Sequence, residues 1–159
     1  MALVKIISGG QTGVDRAALD AAFAADFPCG GWCPADRKAE DGPIPERYPM
    51  SLLTERGARL RTLKNVQASD GTAILFNQSL SGGTKLTRDM CLREKKPFIV
   101  LDATQITVER AAKAIMRFIQ ENELQIMNVA GPRLSGWPEG YGFALGVVSS
   151  VLASASTPR

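Results

Sequence analysis

Ser8-Gly9-Gly10-Gln11-Thr12-Gly13-Val14-Asp15-Arg16 follows the apolar run Leu3-Val4-Lys5-Ile6-Ile7 and opens onto an alanine-rich pattern from Ala17 to Ala25. A strand, a glycine turn and a helix start therefore fall in one short segment. Glycine lets the backbone approach a ligand closely, and the unpaired N–H groups of a helix start carry partial positive charge, which suits a phosphate. The segment is neither a dinucleotide G-x-G-x-x-G fingerprint nor a Walker loop, because no Lys follows its last glycine. A tight turn that binds nothing is the plain alternative.

The same arrangement recurs downstream. Thr72-Ala73-Ile74-Leu75-Phe76 reads as a buried strand, followed by Ser79-Leu80-Ser81-Gly82-Gly83-Thr84 and a helical pattern through Lys96. In an open α/β sheet, ligands sit beyond the carboxyl ends of the strands where strand order reverses, so two such turns on adjacent strands would face one crevice. Strand patterns near 3–7, 30–33, 72–76, 97–101 and 125–130 alternate with helical patterns near 14–25, 55–69, 84–96, 107–122 and 140–153. This alternation predicts a mostly parallel sheet of about five strands, covered on both faces.

In the 107–122 helix, Ala111, Ala114, Ile115, Phe118 and Ile119 form one apolar stripe, which is read as core. The first helix turns Val14, Ala17, Ala18, Ala21, Ala22 and Ala25 to the sheet; Leu19 and Phe23 face elsewhere, toward the second turn's helix or a subunit partner. Residues 34–51, rich in Pro and charge, are expected to form a long ordered loop, placed to act as a lid.

Composition narrows the function. The 159 residues, 45% apolar, fit one domain over 1–159 with a single core. Net charge is only +3. Basic Arg37, Lys38, Arg47, Arg56, Arg59, Arg61 and Lys64 are interleaved with Asp36, Glu40, Asp41, Glu46 and Glu55 rather than clustered as a nucleic-acid surface requires. Three cysteines, Cys29, Cys33 and Cys91, and no leader pattern point to a reduced, cytoplasmic setting. Residues 140–158 carry no charge, but Gly142, Gly146, Ser149 and Ser150 interrupt a run short of the roughly 20 residues of a membrane helix. A buried or subunit-contacting helix is expected there instead.

With no histidine, a Ser-His-Asp triad, an HExxH zinc site and a histidine base are all excluded. Cys29 and Cys33 do not form a C-x-x-C pair, and no metal site is expected. Cys33 is either a soft thiolate ligand or a small buried hydrophobe. Asp15 complements the positive end of its helix while Arg16 does not, so Arg16 needs a partner: a ligand anion, or Glu40 and Asp41.

A family resemblance rests on longer segments. Gly9-Gly10-Gln11-Thr12-Gly13-Val14-Asp15-Arg16-Ala17-Ala18-Leu19-Asp20, Gly31-Trp32-Cys33-Pro34, Glu40-Asp41-Gly42-Pro43-Ile44-Pro45, Tyr48-Pro49, Leu80-Ser81-Gly82-Gly83-Thr84 and Asn128-Val129-Ala130-Gly131-Pro132-Arg133 occur in order along nearly the whole chain. In these the sequence resembles the "putative molybdenum carrier" family. That family is similar to the molybdenum cofactor carrier proteins, within a Rossmann-like superfamily shared with lysine-decarboxylase-like phosphoribohydrolases and DNA-processing proteins. The resemblance implies a Rossmann-like three-layer protein, often a homo-oligomer, that binds and protects the molybdenum cofactor, a phosphorylated pterin (molybdopterin), for molybdoenzyme acceptors. A phosphorylated nucleotide is the alternative ligand.

The candidate binding residues are Gly9, Gly10, Gln11, Thr12, Gly13 and Arg16 at the first turn, and Ser81, Gly82, Gly83 and Thr84 at the second. Either turn can take the phosphate. Trp32, Asn128 and Arg133 are candidates for the pterin, with Trp32 equally read as a core aromatic. The related phosphoribohydrolases carry a catalytic Glu where this chain has Thr87, and a hydroxyl cannot serve as acid or base near neutral pH. That departure argues against N-glycosidic hydrolysis and for no catalytic residue, although Glu40, Asp41 and Asp89 remain carboxylates available from elsewhere.

Overall fold

A computed structural model describes residues 2–55 and 57–155. Arg56, inside the expected 55–69 helix, and the end of the uncharged 140–158 segment lie outside the described residues.

The elements follow the expected alternation. They run β1 (Lys5–Ile7), α1 (Val14–Ala24), β2 (Cys29–Gly30), β3 (Trp32–Pro34), β4 (Lys38–Ala39), β5 (Gly42–Pro43), β6 (Ser51–Leu53), α2 (Ala58–Ala68) and β7 (Gly71–Phe76). The chain continues through α3 (Gly82–Arg93), β8 (Phe98–Asp102), α4 (Val108–Glu121), β9 (Ile126–Ala130) and α5 (Gly140–Ala155). A five-stranded parallel sheet has the order β2-β1-β9-β7-β8. Every residue of β7 is buried, as its continuous apolar run requires in a strand covered on both faces. β8 lies at the edge, and Val100 is accordingly exposed.

The two glycine turns are not on adjacent strands. β9 lies between β1 and β7, pairing Ile7 with Asn128 on one side and Asn128 with Thr72 on the other. From β1 the chain passes through α1 to the β2 edge, and from β7 through α3 to the β8 edge. The two connections diverge around β9, which makes the crevice wider than adjacent strands would leave it.

α5 packs against both α1 and α4, burying Ala144, Val147, Val148, Val151 and Leu152. The buried face of its uncharged run is thus covered within the chain, while Ser149 and Ser150 stay exposed. α4 buries the expected Ala111, Ile115, Phe118 and Ile119, and the Thr107 side chain caps it by accepting from the Arg110 N–H, a bond worth about 1 kcal/mol. α2 packs on α3 over a smaller cluster around Val66, Met90 and Cys91.

Further expectations need correction. The second strand is broken at Gly31, whose φ of +131° turns the chain, so that β2 joins the main sheet and β3 pairs in parallel with β6. The 34–51 segment also has structure of its own: β4 and β5 form an antiparallel pair. Arg37 braces it, its Nε donating to the Ile44 carbonyl and its Nη2 to those of Pro45 and Tyr48. Ile44, Tyr48, Ala39, Cys33 and Leu19 bury one another as a second core. Leu19 therefore meets this segment rather than α3, while Phe23 stays half exposed with its ring edge toward Tyr48.

Candidate functional site

Beyond the carboxyl ends of β1, β9 and β7 lies a cavity of about 520 Å³, within the roughly 300–1,000 Å³ of small-molecule sites. Gly9, Gln11 and Asp15 line it from the first turn, and Ser81, Gly82, Gly83, Thr84 and Thr87 from the second turn and α3. Arg61 and Asn65 of α2, Asn128 and Gly131, and Arg133 and Trp137 complete it.

The two turns differ in what they leave free. At the second, Ser81 is extended and caps α3 with no side-chain hydrogen bond. Its carbonyl accepts from the Thr84 and Lys85 N–H groups. Among the described residues, the Gly82 and Gly83 N–H groups have no acceptor, as expected of the first N–H groups of a helix. A Cβ added at either glycine would meet nothing within 4 Å, so open space stands over this helix start. The Thr87 hydroxyl is engaged, donating to the Gly83 carbonyl at 2.9 Å.

The first turn already holds an anion, the carboxylate of Glu40. Glu40 Oε1 accepts from Thr12 Oγ1 at 2.6 Å and from the Ser135 N–H at 3.0 Å, while Oε2 accepts from Ser135 Oγ at 2.7 Å. Arg133 Nε stands 3.7 Å away, and Gln11 Oε1 accepts from the Glu40 N–H. The hydroxyls of Thr12 and Ser135 hold the Glu40 carboxyl well below its usual range, at about 2. The Val14 N–H donates to the Pro132 carbonyl, and a Cβ on Gly13 would come within 2.5 Å of that same oxygen. Glu40 thus closes the first turn against both the 34–51 segment and the loop after β9.

Asp15 is the carboxylate that faces the cavity. A Cβ on Gly9 would stand 3.0 Å from Asp15 Oδ2 and 3.2 Å from Arg61 Nε, so both side chains lie over that glycine. Burial raises the Asp15 carboxyl to about 6, against the opposing Arg61 and Arg16 charges and a hydrogen bond from the Gln11 backbone. In the unfolded chain it would ionise near 3.8. The folded state therefore holds the extra proton, and stability falls as pH rises from about 4 through 6. Asp15→Asn is accordingly expected to gain on the wild type by up to about 3 kcal/mol near pH 7 and by less than about 1 kcal/mol near pH 4, measured by urea unfolding at the two pH values.

The family model described as the circularly permutated YpsA SLOG family matches residues 6–152. The chain belongs to that family. The crystal structure of a putative molybdenum carrier protein from Syntrophus aciditrophicus SB is similar to it at 42% sequence identity and a TM-score of 0.93, over 95% of this chain and 96% of that one. No curated protein matches the chain at a significant level.

Not all the residues singled out in this SLOG chain reach the cavity. Gly9, Gln11, Ser81, Gly82, Gly83, Thr84, Asn128 and Arg133 line it; Gly10, Thr12, Gly13, Arg16 and Trp32 do not. Arg16 is buried and committed, with Nε donating to the Gly10 carbonyl and Nη1 and Nη2 to the two oxygens of Asp41. The partner it needed is therefore Asp41 of the 34–51 segment. Trp32 is half-buried on β3, where its backbone N–H donates to Asn65 Oδ1 and Lys64 Nζ lies 6.0 Å from its ring.

The buried aromatic at the cavity is instead Trp137. Its place four residues after Arg133 and shortly before a helix was the signal available in the sequence. Cys33 is buried in the second core, its thiol pushed up by burial. None of the cysteines lines the cavity, and neither do Glu40, Asp41 and Asp89. Asp89 pairs with its neighbour Arg88.

Proposed function

We propose that the cavity holds a phosphorylated small ligand, the molybdenum cofactor in the first place, with its phosphoryl group at Ser81 to Thr84, and that the chain binds, protects or carries it. The observation that carries this reading is the contrast between the turns: Glu40 already supplies an anion at the first, while the second keeps open space over unpaired N–H groups. A helix N-terminus with free N–H groups favours an anion. The name of the Syntrophus aciditrophicus relative supports a carrier role. Gly82, Gly83 and Thr84 would hold the phosphoryl oxygens, Asn128 would reach the organic part, and Trp137 would give it an apolar contact. When bound, the cofactor brings its own molybdenum–dithiolene chemistry; the chain's part is to hold and shield it.

No helix among the described residues is long and apolar enough to cross a membrane, and the reading assigns the whole chain, as one domain, to a small ligand in the cytoplasm. A nucleotide-binding or nucleoside-monophosphate-processing role is the second reading, favoured by the Asp15 carboxyl facing the cavity.

Anaerobic equilibrium competition between molybdenum cofactor and AMP separates the two. The expected result is saturable cofactor binding that a large excess of AMP does not displace. Displacement by AMP would make the protein a nucleotide binder, and the absence of binding by either would end both readings.

A further inference from the structure

Resting on the reading that the cavity holds a phosphorylated ligand, we infer that Asp15 selects ligands whose ring presents two adjacent N–H donors, the 2-amino-4-oxopyrimidine edge shared by guanine and pterins, over adenine. Three observations carry this assignment. Asp15 lines the cavity, and its carboxylate lies with Arg61 over Gly9. Among the described residues no side chain hydrogen-bonds it: Arg61 approaches from α2, the Arg16 guanidinium is held by Asp41, and its one hydrogen bond comes from the Gln11 backbone. An ionised carboxylate is acceptor-only with about four lone-pair sites, so capacity remains for two donors from a ligand.

The third observation is strand order. β9 separates β1 from β7, and two strand spacings of ~4.8 Å put the two turns on the order of 10 Å apart. One ligand with its phosphoryl group at Ser81 to Thr84 can therefore present its ring to Asp15. A cyclic N–H beside an exocyclic amine gives two parallel donors, which a carboxylate accepts as a bidentate pair. Adenine offers a ring acceptor beside its amine, and an acceptor facing a carboxylate is repelled. Burial raises the Asp15 carboxyl to about 6 because the protein alone under-satisfies its charge. A ligand bringing two N–H donors supplies what is missing.

The test is calorimetric titration of the full chain with GMP, IMP, AMP and ribose 5-phosphate. IMP keeps the ring N–H and lacks the 2-amino group. GMP is expected to bind about tenfold or more tighter than IMP, the effect of one hydrogen bond to a charged group, with AMP weaker still. Asp15→Asn offers one acceptor in place of two, and is expected to reduce the GMP-to-IMP ratio to within about threefold. A second readout needs no variant. The same ratio in the wild type should fall as pH drops below about 6, where the carboxyl gains its proton, while phosphate titration affects both ligands alike and cancels. Ribose 5-phosphate binding without discrimination among the nucleotides overturns the Asp15 assignment and leaves the cavity reading standing. Failure of all four probes while molybdenum cofactor still binds overturns the Asp15 assignment alone, and failure of the cofactor as well overturns the cavity reading.

Discussion

Gly83→Asp is expected to abolish binding of phosphorylated ligands while leaving the fold intact. The two halves of this expectation have separate physical grounds. A Cβ at Gly83 meets nothing within 4 Å, and Gly83 is not among the positive-φ glycines, so neither contact at the Cβ nor backbone opposes the substitution. A carboxylate in the first turn of α3 also complements the helix dipole, which stabilises a helix by ~0.3–1 kcal/mol. The same carboxylate would stand where the ligand phosphate is placed. Like charges about 4 Å apart at an effective dielectric of about 20 repel by ~4 kcal/mol, and solvent at the open mouth reduces this to ~2–4 kcal/mol, a loss of roughly 30- to 1,000-fold in affinity. Gly83→Ala introduces the Cβ without the charge and should bind within about threefold of the wild type. Equal affinity for Gly83→Asp and Gly83→Ala would move the phosphate away from the second turn.

Why the second turn is proposed over the first, a choice the sequence left open, comes down to one residue. Ser8 to Arg16 and Ser79 to Thr84 both read as glycine turns leading into helices, and both are. Nothing local tells that Glu40, 28 positions from Thr12, returns to set its carboxylate on the Thr12 hydroxyl. Strand order was hidden for the same reason. Periodicity gives each strand's type from its own residues, but placing β9 between β1 and β7 depends on long-range pairing of backbone groups that every strand carries alike. The helices were the most legible part, because α4's stripe or α5's uncharged run records burial directly in side-chain chemistry. Asp15 was visible as a helix-start residue, whereas its exposure to the cavity depends on Arg61 and Gly9 meeting it across the fold.

Gly31→Ala is the substitution expected to damage the fold most. Gly31 carries the turn that sends β2 into the main sheet and β3 into its pairing with β6. Its φ of +131° lies where side chains are strained, and a Cβ there would sit 1.9 Å from the Ser8 carbonyl oxygen. That oxygen is backbone, and Ser8 is itself tied down by donating its N–H to the Gly30 carbonyl. Relief therefore requires β1 and β2 to separate. Backbone strain of ~1–3 kcal/mol and a similar packing cost combine to roughly 3–5 kcal/mol, a large part of the ~5–15 kcal/mol that holds a domain together. Gly42→Ala supplies the comparison, because Gly42 has a φ of +107° but nothing within 4 Å of its added Cβ. It should lose only the strain, on the order of 1–2 kcal/mol. Urea unfolding of both variants reads the difference as the cost of the contact with Ser8. Equal losses would mean that conformation alone fixes glycine at position 31, and that the β1–β2 junction yields more easily than its backbone packing implies.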